Sequence, residues 1–247
     1  TLWYLIDSGF KDPYYNMAFD EYLMGSVKDE MTVFLRFFNF KPVSVSIGYH
    51  QRVEKYLEDL GEKGIKWVRR RTGGRAVIHS NDFTYSLVFR RDNPDIGGSV
   101  VESYNKIAKA FKKAFEILNI PTEIQRGKNR SSKRLKSHLC FSSTSIAELT
   151  WNGKKIIGSA QFRDKRIVLQ EGTIMLDNHG SIFPDIPEMA TLREASGREV
   201  KLIEVKDAVL RGFEETYSIH FEEYKFKPLE EELLRKYSSV EWNLGSK

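Results

Sequence analysis

The strand-forming runs of this chain come in pairs and groups, with helices set between them at irregular intervals, and this lack of strand–helix alternation narrows the fold most. Residues 2–6 read as a strand. Pro13 then opens a helical stretch over 14–24, because the first helical position loses nothing when its N–H is missing. Residues 32–38 and 43–47 are β-branched and aromatic and read as two strands broken at Lys41-Pro42. A short amphipathic helix over 53–60 ends at Gly61 and Gly64. Strands at 65–69 and 83–89 then flank a loop rich in arginine and glycine. Residues 100–118 repeat Ile107, Ala110, Phe111, Ala114, Phe115 and Leu118 at helical spacing. Asn152-Gly153 supplies the positive φ angles of a tight turn between strands at 146–151 and 154–162. A turn at 163–165 leads to strands at 167–170 and 173–176, and helices follow at 202–217 and 229–237. A βαβ repeat would build a parallel sheet, whereas this order implies an α+β fold with a mixed or antiparallel sheet and flanking helices. The expected organisation is one domain over 1–247, with 188–247 a mainly helical C-terminal extension.

No window approaches the roughly 18 uninterrupted apolar residues of a membrane helix. The apolar run near Thr1 lacks the basic lead of a signal peptide, and a single cysteine can form no internal disulfide. A soluble, cytoplasmic protein is the expectation, with no membrane partner. The formal charge is only +5, so its placement matters more than its size. Arg69, Arg70, Arg71 and Arg75 crowd a glycine pair, and Arg126, Lys128, Arg130, Lys133, Arg134 and Lys136 form a stretch without an acidic residue. Such clusters favour an anionic partner. Apart from Trp67 at one edge, neither carries the aromatic residues on which bases would stack, so nucleic acid is not expected as a partner.

Three constellations can carry chemistry. In Arg70-Arg71-Thr72-Gly73-Gly74-Arg75-Ala76-Val77-Ile78-His79 the adjacent glycines would let backbone amides approach a ligand oxygen. The segment lacks the Gly-Lys-Ser/Thr ending of a phosphate loop and does not match the dinucleotide fingerprint, and on composition alone a strand connection with solvated arginines is the plainer reading. Cys140 lies in Ser137-His138-Leu139-Cys140-Phe141-Ser142, where it is either a small core residue or a nucleophile. The second role needs a nearby ammonium or a helix N-terminus to favour the thiolate. His138 would point to the opposite face of an extended chain and is a poor candidate base. In Gly153-Lys154-Lys155-Ile156-Ile157-Gly158-Ser159-Ala160-Gln161 the two lysines face opposite ways on a strand, so only one can enter a given pocket. Gly158, Ser159 and Ala160 remove side-chain bulk where a ligand could pack, although a surface hairpin with solvated lysines is the plain alternative. The five histidines (His50, His79, His138, His179 and His220) have no metal-ligand spacing, so no metal is expected. Asp20-Glu21 reads as a solvated or capping pair rather than an acid/base site.

Together these stretches resemble the biotin/lipoate protein ligase superfamily, nearest to its cysteine-dependent octanoyltransferases. The run from Arg71 to His79, followed by Phe83-Thr84-Tyr85-Ser86, resembles the family's "RRTGGRAVLH…LTYS". The run from Gly153 to Gln161 resembles "GKKIVGSAQ", and Leu169-Gln170-Glu171-Gly172-Thr173-Ile174 resembles "LQHGSI". Cys140-Phe141 with Ser145 resembles "CF…PS…E", and Tyr237 with Glu241-Trp242-Asn243 resembles a "Y…EWN" ending. Thr144 and Glu171 depart from the pattern, standing where it usually has proline and histidine.

The resemblance implies the superfamily's catalytic-domain fold and a Cys140 acyl-thioester. It implies that Lys155 lowers the cysteine's pKa and positions the acyl carbonyl. It further implies an acyl pocket lined by Arg71, Thr72, Gly73, Gly74, Arg75, Ala76, Val77 and His79 with Gly158, Ser159 and Ala160. The implied reaction moves octanoate from octanoyl-acyl carrier protein to a lysine of a lipoyl-domain protein such as the glycine-cleavage H protein, with no cofactor. One thioester replaces another, and aminolysis to the more stable amide drives the cycle without ATP. The acidic carrier and lipoyl domains would suit the basic stretch between Arg126 and Lys136. An ATP-dependent lipoate–protein ligase is the competing reading. It carries the same loop and lysine but leaves Cys140 without a required role, and its accessory C-terminal domain does not fit after Asp177. A non-catalytic binding module is the third reading, and no helix-turn-helix precedes the strand at Leu2 to support a DNA-binding form.

Overall fold

In the computed structural model, which describes residues 1–125, 148–178 and 189–245, β1 (Leu2–Lys11) runs into α1 (Pro13–Ser26). Then come β2 (Thr32–Phe40), β3 (Ser44–Ile47), α2 (Lys55–Glu62), β4 (Lys66–Arg69), β5 (Val77–His79) and β6 (Asp82–Arg90). Next are α3 (Val100–Ile117), β7 (Glu123–Gln125), β8 (Glu148–Trp151), β9 (Lys154–Lys155), β10 (Ile157–Arg163) and β11 (Ile167–Met175). The last elements are α4 (Leu192–Ser196), α5 (Leu202–Tyr217), β12 (Phe221–Glu223), α6 (Glu231–Ser238) and α7 (Val240–Leu244). The helix starts follow local chemistry. The Asp12 carboxylate accepts from the amides of Tyr14 and Tyr15 ahead of α1, and Ser99 and Glu102 form a reciprocal capping box on α3.

A six-stranded sheet in the order β10-β11-β6-β2-β1-β12 forms the centre, and β4-β3-β5 and β7-β8-β9 make two smaller sheets. β1 pairs in parallel with β2 and β12, while β2, β6, β11 and β10 pair antiparallel, so the sheet is mixed. Every residue of β2 is buried, because helices cover both faces. Val33, Leu35 and Phe37 pack with Phe83, Tyr85, Leu87 and Phe89 of β6 against Phe111 and Phe115 of α3 and Phe213 of α5. Phe34 and Val88 face the other way, onto Phe19 and Leu23 of α1. The fold is therefore α+β with flanking helices, as the irregular order of elements implies.

Besides the short elements β7, α4 and β12, which the sequence did not announce, three details near the site depart from the sequence-based expectation. β11 is one continuous strand through Glu171 and Gly172, where two strands were expected. Gly172 is there for space: a Cβ at that position would lie 2.3 Å from a ring carbon of Tyr85. The single strand expected over 154–162 is divided at Ile156, whose amide turns aside to the Leu149 carbonyl at 3.1 Å. β5 was not anticipated, and it pairs antiparallel with β3. The Asn152-Gly153 turn has φ angles of 48° and 77°, as a tight hairpin turn needs. No helix among the described residues is long and apolar enough to cross a membrane.

Asp20 and Glu21 are not the solvated pair expected. Asp20 is 1% exposed, and its Oδ1 accepts from Arg36 Nη1 at 2.8 Å and from Ser86 at 2.7 Å. Arg36, fully buried in β2, also donates to the backbone and side chain of Asn16 and to Ser8, and its guanidinium lies over the rings of Phe19 and Phe38. Glu21 accepts from Lys236 and from the Tyr237 hydroxyl, which fastens α6 to α1. Burial raises the Glu21 pKa, but these two donors outweigh it and hold the carboxyl below the usual range. Helical periodicity could not show this, since the partners come from β2 and from a helix more than two hundred residues away. Arg36→Ala would leave the Asp20 carboxylate buried without its counter-charge, and should lower stability by roughly 3–5 kcal/mol in urea unfolding at neutral pH. A loss below about 1 kcal/mol would show that the pair is not structural.

Candidate active site

The loop after β4 is built from the inside. Arg70 is buried, and its guanidinium donates to Ser46, to the Gly73 carbonyl at 2.7 Å and to the Arg75 carbonyl at 2.8 Å. These are bonds of a scaffold, so Arg70 is not one of the solvated arginines that the plain reading of this loop expects. Gly48 lets the loop come down: a Cβ there would lie 1.9 Å from the Gly74 carbonyl oxygen. Arg69, also buried, donates to the carbonyls of Gly48, Tyr49 and Gln51. Asn243 covers the free edge of β4 by accepting the Arg69 amide at 2.7 Å, and Trp242 donates to the Arg69 carbonyl at 2.8 Å. The "EWN" ending thus braces the loop.

Between this loop, β5, β10 and β11 lies a narrow pocket whose empty space, its open mouth included, is about 390 Å³. Of the residues expected at an acyl site, Val77, His79, Gly158, Ser159 and Ala160 line it. Thr72 adjoins it by donating to Glu171, which is also in the lining. Ala76 instead packs behind the loop with Val45, Ile47, Leu57 and Ile78. Arg71 lies between the rings of Phe162 and Trp242, with Glu21 at 4.0 Å. Gly73 and Gly74 form the bend that meets Gly48, and Arg75 contributes its carbonyl to Arg70. The apolar wall comes from Met17, Phe38 and Phe40, which the motifs did not single out. His79 stacks on Phe40 and bridges Ser46 at 2.9 Å and Asp82 at 2.7 Å, so its ring is fixed from both nitrogens.

Lys155 is not in this pocket. It lines a second narrow one on the α3 side, whose empty space, open mouth included, is about 360 Å³, with Ile107, Phe111, Leu149 and Ile157. Ser159 is common to both linings. The Lys155 ammonium is buried and bonds Glu148 at 2.7 Å, while Lys154 on the other face bonds Glu194 at 2.9 Å. The opposed lysines follow from strand alternation, but the Glu148 partner was not foreseen. Tyr85 closes the inner end: its hydroxyl meets Ser159 at 2.9 Å and receives Gln170 at 2.8 Å. Burial pushes the Tyr85 pKa to about 12 against the pull of those two bonds, so it stays a neutral donor. Cys140, His138, Thr144, His179 and the basic stretch at 126–136 lie outside the described residues. Among the described residues no group of three His, Cys, Asp or Glu could hold a metal ion.

The family model for the lipoyl protein ligase A/B catalytic domain matches residues 12–214. The chain belongs to that family. Among its relatives, octanoyltransferase LipM of Moorella thermoacetica is 34% identical, with 97% of each chain covered. Octanoyltransferase LipM of Staphylococcus aureus is 33% identical at the same coverage. Among solved structures, a T. acidophilum protein assigned as a lipoate protein ligase superposes with a TM-score of 0.80 at 25% identity, covering 100% of both chains. Lipoate-protein ligase A with bound ATP gives 0.73 at 25% identity over 99% and 98%. As a member of the lipoyl ligase A/B family with LipM relatives over nearly its whole length, the chain is an acyltransferase of protein lipoylation.

Gly48→Ala puts a methyl group against the Gly74 carbonyl, so the loop must lift from the pocket. The KM for the acyl donor should rise about ten-fold or more, equivalent to ~1.4 kcal/mol of lost binding. The unfolding midpoint should move little, and an unchanged KM in steady-state assays would show that the loop does not shape the pocket.

Proposed function

We propose that this protein transfers octanoate from octanoyl-acyl carrier protein to a lysine of a lipoyl-domain protein such as the glycine-cleavage H protein, through a thioester on Cys140. The observation that carries the reading is the apolar pocket beside Arg70 and the loop it holds, walled by Met17, Phe38 and Phe40 and floored where Gly158 has no side chain and Ala160 only a methyl group. A flexible saturated chain would gain by leaving water there at about 25 cal/mol per Å² buried. In this reading the Lys155 ammonium, in the pocket that shares Ser159, would hold the carbonyl end.

In the first step the Cys140 thiolate attacks the donor's thioester carbonyl, and the carrier's thiolate leaves and takes up a proton. In the second, the neutral acceptor amine attacks the Cys140 thioester, an amide forms, the thiolate leaves and the amine sheds a proton. Lys155 would stabilise both the thiolate and the carbonyl oxygen as charge develops on it. Glu148 fixes where that ammonium points and offsets part of its pull on the sulfur. The proposed setting is a single catalytic domain working in the cytoplasm, with the basic stretch at 126–136 meeting the acidic partners.

The solved lipoate ligases favour a second reading, activation of free lipoate with ATP. A transfer assay decides between them. Octanoyl-acyl carrier protein should support transfer without ATP, and Cys140→Ser should abolish it, a loss of at least ~10³-fold for removal of a covalent nucleophile. Full activity of Cys140→Ser with free lipoate and ATP would instead establish the ligase. Lys155→Ala should slow alkylation of Cys140 at neutral pH, and an unchanged alkylation rate would remove Lys155 from the thiolate role.

A further inference from the structure

Two carboxyl groups that the reaction does not use meet under the pocket loop. Glu171, on β11, is 7% exposed, and the Asp20 carboxyl of α1 is close enough to act on it electrostatically. Asp20 Oδ1 is already taken by Arg36 and Ser86, whereas Asp20 Oδ2 is buried with no donor from nitrogen or hydroxyl among the described residues. A buried acceptor left bare is costly, and the group in reach that can supply a hydrogen is the carboxyl of Glu171. The other side of Glu171 is set for the same arrangement: its Oε2 accepts from the Thr72 hydroxyl, which in turn accepts from Arg70 Nε at 3.1 Å. A protonated carboxyl can accept at one oxygen from Thr72 and donate from the other to Asp20. The donors therefore run in one direction, from Arg70 to Thr72 to Glu171 to Asp20.

We infer that Glu171 is a positioning residue, a neutral carboxyl that bridges Thr72 and Asp20 and ties the Gly73-Gly74 loop down over the acyl pocket, releasing it when the proton is lost. The charges around it agree. From α1 the Asp20 carboxylate repels a second negative charge, and Arg36 of β2 is committed to Asp20. Arg70 from the loop is the cation facing Glu171, but its bonds go to the loop carbonyls, Ser46 and Thr72. His79 of β5 bonds Ser46 and Asp82, and the Tyr237 hydroxyl of α6 bonds Glu21. Burial, then the Asp20 charge, push Glu171 up to about 8, with Arg70 and Thr72 pulling the other way. Glu171 keeps its proton in the fold to higher pH than in the unfolded chain. Its share of stability is complete below the ordinary carboxylate range and is lost as pH climbs towards 8. Ionisation sets two carboxylates against each other at the base of the loop.

The inference rests on the proposed acyl pocket, and two readouts on the whole chain keep them separable. Hydrogen exchange over residues 72–75, corrected for intrinsic rates, reports the loop itself. Protection in the wild type should fall about ten-fold or more between roughly pH 7 and pH 9.5, as a carboxyl with a pKa near 8 ionises. Glu171→Gln keeps an acceptor for Thr72 and a donor for Asp20 but cannot ionise, so its protection should not change over that range. Thr72→Val cuts the link, and its loop should be equally unprotected at both pH values. A wild-type loop equally protected at both, or a Gln variant that falls in parallel, overturns the tie. Octanoate binding, followed by calorimetry at the same pH values in Cys140→Ser protein, should weaken as the loop releases, and affinity unchanged across the loop's release would detach the tie from acyl binding. Octanoate bound at no pH would instead overturn the pocket reading, with the exchange data still deciding the tie.

Discussion

A sheet covered by helices on both faces offers no water to any polar group within it, so such groups must find partners inside the protein. Arg36 sits in the middle of a strand made mostly of hydrophobic and aromatic residues, and Asp20 comes from the helix above to meet it. Ser8, Asn16 and Ser86 complete the set from β1, α1 and β6. An ion pair with no hydrogen-bonded support would cost more in lost hydration than attraction returns. Here each nitrogen of the guanidinium has a partner and the flat face lies against rings. The pair fixes α1 over the sheet, and the far side of Asp20 becomes the anchor for Glu171, Thr72 and the loop. Fold and pocket thus depend on the same buried carboxylate.

The two pockets lie on opposite sides of the sheet's β10 edge, with Ser159 shared between them. This divides the work in the proposed reaction. The α1 side offers an apolar wall for a hydrocarbon chain, and the α3 side offers a buried ammonium for the end where bonds change. Tyr85, too weak an acid to ionise in the fold, spans the junction through Ser159 and Gln170. The C-terminal residues contribute at a distance. Trp242 and Asn243 cap the edge of β4, and Arg69 spreads its donors over the Gly48–Gln51 bend that the loop rests on.

The sequence disclosed what depends on short-range pattern. The irregular order of elements gave the mixed sheet, Asn152-Gly153 gave the hairpin, and strand alternation put Lys154 and Lys155 on opposite faces. Motifs in register marked the loop and the Gly158–Ala160 floor, because those positions share local backbone demands. Long-range partners left no such trace. Nothing near Asp20 in the chain announces Arg36 or Glu171, and nothing near Lys155 announces Glu148, since each contact exists only once the sheet has assembled. Gly172 looked like the end of a strand when its role is to make room for Tyr85 across the sheet. Glu171 was visible only as a departure from a pattern, and its meaning came from the three-dimensional neighbours that hold its proton.

The account centres on a covalent acyl intermediate that needs no nucleotide. Its most direct test is the intact mass of the protein, read within one turnover of mixing with octanoyl-acyl carrier protein and with neither ATP nor acceptor present. A single octanoyl adduct that maps to Cys140, and is discharged when the acceptor is added, is the predicted result. A protein that stays unmodified yet completes the transfer once the acceptor is added, still without ATP, would contradict the account and place the chemistry in a direct route.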